Sequence, residues 1–296
     1  MEATAAVPDW LAACRRIVVE LRTMFGEHPT TRERAVELGR GVGGDRTLMI
    51  DDAAERLIFE ELERVHSAGY GFTVISEERG EVVYGDGVCR VVVDPVDGSM
   101  NAKRALWPFT VSIAVAEPPF SGTAGEPNMA DVSFGFVYDF GLDEEWTAQR
   151  GAGARLNDRP LSVEASERRT ARGLLELVAI ESARPEWVAA GLPALGQVAH
   201  RLRAFGSIAF ALCQLAGGRV DGMVTLWSSR SVDAAAGQLI VRESGGCVAF
   251  TAADEPLGLP LDLAARSPIA AARTATALAE LAAVPADAAR LRSSEG

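Results

Sequence analysis

Soft metal ligands are scarce in this chain. It has three histidines (His28, His66, His200) and four cysteines (Cys14, Cys89, Cys213, Cys247), far apart and with no Cys-x-x-Cys pair. That scatter argues against zinc or nickel chemistry, and reads as the reduced thiols of a cytoplasmic protein. Lysine occurs once, at Lys103, and every other base is Arg. Bases number 29 against 41 acids, for a formal net charge of −12, which excludes a nucleic-acid-coating protein with its basic face. No apolar run approaches the roughly 20 residues that cross a bilayer. The start, Met-Glu-Ala-Thr, has no basic segment leading into an apolar one, so neither a membrane span nor a signal peptide is expected. No repeat of fixed period occurs either. What remains is a 296-residue chain, 48% hydrophobic. That is globular, and long enough for one large domain or two halves sharing a core.

Periodicity predicts two styles of structure. In the first half, Asp9 is placed to cap a helix running to about Phe25, and a second helix spans about Asp51 to Ser67. A glycine-rich loop, 39–44, lies between them. Short β-branched runs at Phe72–Ser76, Val88–Val93, Thr110–Ala116, Val132–Tyr138 and Glu145–Gln149 predict a mostly antiparallel sheet. In the second half, strands at Leu174–Ile180, Val198–Phe205, Val220–Leu226 and Cys247–Thr251 alternate with helices near Pro185–Ala190, Ser207–Ala216 and Asp233–Ser244, an α/β pattern. Pro268–Ala272 is a further candidate strand before a last helix from about Thr274. The boundary is expected near residue 160, giving units 1–160 and 161–296. The tail beyond Pro285 is expected to fray.

Chemistry concentrates in a few segments. In Asp94-Pro-Val-Asp97-Gly98-Ser99-Met-Asn101, an apolar strand delivers Asp94, Pro95 forces the chain off the ladder, and Asp97 follows one turn on. Ser99 and Asn101 are candidate caps of a following helix, whose first N–H groups suit an anion. Carboxylates beside an anion site require a cation between them, and hard oxygen ligands select Mg²⁺ or Mn²⁺. Taken alone, this segment reads equally well as an ordinary proline turn. Ile75-Ser-Glu77-Glu78 ends another strand, and an isolated Glu pair is more often a solvated loop. Asp233-Ala-Ala-Ala-Gly237 reads first as a capped helix start, although its small face implies close approach by a backbone or ligand. Gly206-Ser207-Ile-Ala209 begins a helix. Asp51 is either an acid–base partner or a helix N-terminal charge.

Taken in order, Glu77-Glu78, the D-P-x-D-G-S-x-N segment and Asp233-Ala-Ala-Ala-Gly…Glu243-Ser-Gly-Gly246 resemble the inositol monophosphatase superfamily of Mg²⁺-dependent, often lithium-sensitive phosphatases. The resemblance covers roughly residues 9–283. The stretch from Asp94 to Ala116 is most similar to the archaeal-type branch that treats both inositol phosphates and fructose 1,6-bisphosphate. It implies an α/β fold, a layered α-β-α-β-α sandwich of the sugar-phosphatase type. It further implies two to three Mg²⁺ ions, with Mn²⁺ able to substitute and Li⁺ inhibitory. Glu77 and Asp94 would hold the first ion with the carbonyl of Val96. Asp94, Asp97 and Asp233 would hold the second, and Glu77 would reach a third. Asp51 and Ser99 would activate water, the Gly98 and Ser99 amides would cradle phosphate, and Gly206, Ser207 and Ala209 would face the substrate hydroxyls. The family is usually dimeric.

The motifs contain no His or Cys to act as a covalent nucleophile, which favours direct attack by water. Two departures bear on the substrate. Val232 replaces the usual Trp before the last Asp. Leu226 stands where inositol-specific members carry an acid, which weakens the case for myo-inositol phosphate itself. Lys103 and Arg230 are candidate contacts to an anionic part of the substrate. The expectation is a small-molecule phosphomonoesterase for a polyol or sugar phosphate, with fructose bisphosphate or a nucleotide as alternatives. A reading of another class is a non-catalytic regulator that binds metal or a phosphorylated ligand.

Overall fold

The computed structural model describes residues 8–40, 46–122, 125–162 and 166–286. The predicted fraying tail, most of the glycine-rich loop and the first four residues lie outside this set. The chain folds into five layers. Helices Trp10–Glu27 and Met49–Ser67 pack through Ile17, Leu21, Ile58 and Leu62 on one face of an eight-stranded sheet. Its strand order is Arg159–Pro160, Gly153–Leu156, Glu144–Gln149, Val132–Asp139, Thr110–Ala116, Cys89–Asp97, Phe72–Ser76 and Gly80–Tyr84. On its other face lie helices Ile208–Ala216 and Ala235–Glu243, whose Leu212, Leu215, Leu239 and Ile240 share one core with Met223 and Ile269 of a second sheet. That five-stranded sheet runs Ala199–Arg203, Leu175–Glu181, Gly222–Thr225, Ile269–Ala272, Cys247–Phe250. Helices Pro185–Val198 and Ala275–Ala282 close it from outside through Leu195 and Leu281. This is the expected α-β-α-β-α sandwich. No described helix is long and apolar enough to cross a membrane.

The first sheet is antiparallel except where Phe72–Ser76 runs parallel to Cys89–Asp97. Both of those strands are therefore delivered to the same edge, and their C-terminal ends carry Glu77 and Asp94. Parallel strands buried on both faces read as continuous apolar runs. Phe72–Ser76 is buried at all five positions, and Val91–Val93 at all three.

Local predictions are corrected in four places. Pro95 does not end its strand: pairing with Thr110–Ala116 resumes at Asp97 after a register shift, so the missing proline N–H falls at the irregularity. Ser99 and Asn101 do not cap the helix Ser99–Lys103; Gly98, in the left-handed region, occupies the cap position without a side-chain bond. Asp233 is not a cap either, because its helix begins at Ala235 with Ala234 preceding it. The helix from Pro185 continues through Pro193 to Val198, where Leu195 secures its later turns in the core. Asp9 does cap, accepting from the Ala12 N–H at 2.9 Å.

Candidate active site

Three acidic side chains meet beside the C-terminal ends of strands Phe72–Ser76 and Cys89–Asp97. Glu77 sits in the turn after Phe72–Ser76. That turn is held from below by Glu55 of helix Met49–Ser67, which is buried, accepts from the Ser76 hydroxyl and from the Arg79 N–H at 3.1 Å, and pairs with Arg79 Nε at 3.2 Å. Asp94 lies on strand Cys89–Asp97, and its Oδ1 accepts from the Val96 N–H at 3.1 Å. Asp233 follows Ser229–Arg230, and its Oδ2 accepts from the Arg230 N–H at 2.9 Å. One carboxylate oxygen from each of Glu77, Asp94 and Asp233 lies within 4.8 Å of the others. At that spacing each ionised pair repels by about 3 kcal/mol at an effective dielectric near 20.

Asp97 is turned toward the second half of the chain. Its Oδ2 accepts from Ser207 Oγ at 2.6 Å and the Ala209 N–H at 2.6 Å, and its Oδ1 from the Ile208 N–H at 3.3 Å. A carboxylate at the first turn of helix Ile208–Ala216 is well placed for the helix dipole. Asn101 strengthens the same junction, donating through Nδ2 to the carbonyls of Pro108 (2.7 Å) and Phe205 (2.8 Å). Glu181, at the end of strand Leu175–Glu181, accepts from the N–H groups of Phe205 (3.0 Å) and Gly206 (2.8 Å). The turn 205–207 is thus pinned from three sides.

Gly98 is confined twice over. Its φ is +93°, and an added Cβ would lie 3.1 Å from the Gly206 carbonyl oxygen and 3.2 Å from that of Pro108. Gly98→Ala is expected to destabilise the protein by about 1–3 kcal/mol, from the left-handed backbone and the crowded carbonyls together. Urea unfolding measures this, and a midpoint within error of the parent would contradict it.

These residues wall a cleft of about 560 Å³, lined by Asp51, Glu77, Glu78, Asp94, Asp97 and Glu181 among others. Asp51 is buried; its Oδ2 accepts from the Leu48 N–H at 3.3 Å, while Oδ1 has no hydrogen-bond partner among the described residues. The three converging carboxylates form a hard, all-oxygen donor set, with the orphaned Asp51 oxygen in the same cleft. They suit a divalent cation of the Mg²⁺ or Mn²⁺ type.

Burial shifts Asp51, Glu77, Asp94, Asp97 and Glu181 toward the protonated form. It pushes Asp51 up to about 7, with neighbouring Glu78 adding to the rise. Burial also pushes Glu77 up to about 8, against the pull of the Arg230 guanidinium. Asp94 is raised well above the ordinary range by burial and by Glu77, Asp97 and Asp233. Asp97 rises to about 7 and Glu181 to about 8, burial again outweighing their hydrogen bonds. Without metal, stability should therefore fall as pH rises. The folded state keeps protons that the unfolded chain, with ordinary values of 3.8 and 4.5, has already released. The stabilisation is complete below about pH 4 and is lost as pH climbs through about 7 to 8. Thermal unfolding in EDTA from pH 5 to 8.5 checks the sign; a rising midpoint would reverse it.

The other predicted residues are distributed unevenly. Val96, Gly98, Ser99, Gly206 and Ser207 all line the cleft. Ser99 Oγ donates to the Val96 carbonyl at 2.9 Å, not to Asp51. Ala209 is fully buried behind the wall, its N–H engaged by Asp97. Lys103 lies off the wall, 3.7 Å from Glu37, although its charge reaches Asp51. Arg230 does line the cleft, but its guanidinium is directed at Glu77 rather than at open space. Glu55, Glu181 and the bracing role of Asn101 were not foreseen. Glu55 and Glu181 act through partners 21 to 25 residues away and no local pattern marks them, while Asn101, part of the D-P-x-D-G-S-x-N pattern, reaches Phe205 104 residues on.

A fold of this kind, with acidic residues gathered at the edge of paired sheets, is that of the sugar phosphatases. The inositol monophosphatase family model matches residues 14–286, and the chain belongs to that family, whose members hydrolyse phosphate monoesters. It is 33% identical over 271 residues to the fructose-1,6-bisphosphatase/inositol-1-monophosphatase of Methanothermobacter thermautotrophicus, covering 89% of this chain and 91% of that protein. It is also 33% identical over 222 residues to the inositol-1-monophosphatase of Mesorhizobium japonicum, covering 69% and 72%. Among solved structures, the extragenic suppressor protein SuhB from Bartonella henselae aligns with a TM-score of 0.69 at 28% identity, over 92% of this chain and 94% of that one.

Proposed function

We propose that the protein is a Mg²⁺-dependent phosphomonoesterase that hydrolyses a small polyol or sugar phosphate by direct attack of water. The observation that carries this reading is the convergence of Glu77, Asp94 and Asp233 within 4.8 Å, in one cleft with the unpartnered oxygen of Asp51. Glu77 and Asp94, with the Val96 carbonyl, would hold one ion. Asp94, Asp97 and Asp233 would hold a second, Asp97 turning from Ser207 to do so, and Glu77 would reach a third. Such ions would supply positive charge to the phosphoryl oxygens and would lower the pKa of a bound water.

The chain's own groups do the rest. Asp51 accepts the proton of the attacking water at its free Oδ1. Ser99, rotated from the Val96 carbonyl, relays that proton, while the Gly98 and Ser99 amides orient the phosphate. Water's oxygen bonds to phosphorus as the ester P–O bond breaks; the leaving oxygen takes a proton from a solvent water, and the resulting hydroxide is neutralised by the proton Asp51 accepted, giving the alcohol and inorganic phosphate. The turn 205–207, held by Glu181 and Asn101, shapes the alcohol side. The units 1–160 and 161–296 each contribute ligands, and the four free cysteines fit a reducing cytoplasm. We take the active form to be a homodimer.

Phosphate release should be measured with Mg²⁺ across inositol phosphates, hexose phosphates, fructose 1,6-bisphosphate and nucleoside monophosphates. Hydrolysis of at least one, lost in EDTA, is expected; a folded, metal-loaded protein inert toward all of them would defeat the reading. The relative named as acting on both fructose bisphosphate and inositol phosphate, aligned over nine-tenths of the chain, makes fructose 1,6-bisphosphate the second candidate.

A further inference from the structure

Arg230 makes an unusual contact for a residue in a cation-binding cleft. Its Nη2 lies 2.5 Å from Glu77 Oε1, and its Nε lies 3.6 Å from Asp233 Oδ1. Its backbone N–H also donates to Asp233 Oδ2. The side chain is nearly buried, with 9% of its surface exposed. It crosses from the short strand Ser229–Arg230, which pairs with Arg266–Ser267, to the turn after Phe72–Ser76 of the eight-stranded sheet. Two of the three acids that converge are thus bridged by one guanidinium. A planar cation with fixed donors suits paired carboxylates, and it remains charged at any accessible pH.

We infer that Arg230 is a built-in counter-cation for the acidic cluster, and that it and the divalent ion compete for Glu77 and Asp233. This rests on the proposed metal role of those acids. The reasoning is electrostatic. Buried like charges repel unless a cation stands among them, and a buried charge whose partner is removed is costly. In the metal-free protein the guanidinium fills that role. A divalent ion seated on the same oxygens meets a fixed positive charge within a few ångströms, so its entry requires Arg230 to release Glu77. Once released, the side chain still borders the cleft, where an anionic substrate adds the negative charge it has lost. Arg230 therefore raises the metal concentration at which the site fills, and it keeps the empty site folded. It is a positioning residue for the ligands.

The test is calorimetric titration of Mn²⁺ into metal-free parent, Arg230→Gln and Arg230→Lys proteins, with thermal unfolding in EDTA and in saturating Mn²⁺. Arg230→Gln should bind Mn²⁺ at least about tenfold more tightly than the parent. Its unfolding midpoint should drop in EDTA and recover with Mn²⁺, a widening of the metal-induced shift that a purely structural role would not produce. Arg230→Lys should bind Mn²⁺ with intermediate affinity. If Arg230→Gln folds only with Mn²⁺, that supports substitution of one cation for the other. If it fails to fold in both conditions, the Lys variant decides: tighter binding than the parent supports the inference, and equal or weaker binding overturns it. Unchanged or weaker Mn²⁺ affinity in Arg230→Gln, in a parent that binds Mn²⁺, overturns this inference alone. A parent that binds no Mn²⁺ overturns both it and the metal reading beneath it.

Discussion

Asp94→Asn is expected to lower phosphate release by at least about a thousandfold and to weaken divalent-metal binding in the same protein. Asp94 is the acid shared by both proposed ion positions, and no nearby carboxylate can take its place without moving a strand. The same substitution should raise the thermal stability of the metal-free protein. Asp94 is buried beside Glu77, Asp97 and Asp233, each of which disfavours its charge. A neutral amide of the same shape removes that repulsion, and its oxygen can still accept the Val96 N–H. Function and stability are therefore predicted to move in opposite directions. Phosphate release, Mn²⁺ calorimetry and unfolding in EDTA test the three parts separately. Parent-like metal binding would remove Asp94 from the ligand set. A metal-dependent cellular effect that survived the substitution would point instead to a regulator.

Asp51→Asn should act at a different step. It is expected to slow turnover by about 10²–10⁴-fold while leaving Mn²⁺ affinity close to that of the parent. Asp51 is buried next to the cluster without being one of its three converging acids, and one of its oxygens is unpartnered. Burial places its ordinary carboxyl near 7, so it is poised to take a proton close to neutral pH. A base works only when deprotonated, so kcat should rise with pH along an acid limb. Bound cations favour the carboxylate, which puts that limb at or below about pH 7. Asp51→Asn should flatten the limb as well as lower the rate. A lowered rate with the acid limb intact would assign the proton to another group.

Strands whose apolar runs are self-sufficient were legible in the sequence. Phe72–Ser76 and Thr110–Ala116 have the predicted limits, because each is buried along its whole length and is followed at once by an acid, Glu77 and Glu117. The edge strand Gly80–Tyr84 was not foreseen: its alternating burial over five residues, opened by a glycine, gives a weak signal. Asp94 was legible because its segment combines several rare local requirements. Glu181 was not, since it is a single acid after an ordinary strand and acquires meaning only when Phe205 and Gly206 arrive 24 and 25 residues later. Arg230 was placed near the site but facing the substrate. Its partner Glu77 lies 153 residues away, and no spacing rule connects them. Asp233 was misread locally for a related reason: its oxygens are drawn to the Arg230 N–H and the cluster, so Ala234 takes the cap position.

The order in which the chain is made gives the split origin of the cluster a further meaning. Glu77 and Asp94 belong to neighbouring parallel strands and are brought together when the first sheet forms. Asp233 comes from the second half of the chain, as does the Ser207 that holds Asp97. A ribosome releases the first pair long before the third acid exists. During that interval neither Arg230 nor Asp233 is present to join the two acids. On the proposed assignment, the ligands of one ion, Glu77, Asp94 and the Val96 carbonyl, all precede the second half, whereas the position that needs Asp233 is complete only once that half has been made and has docked.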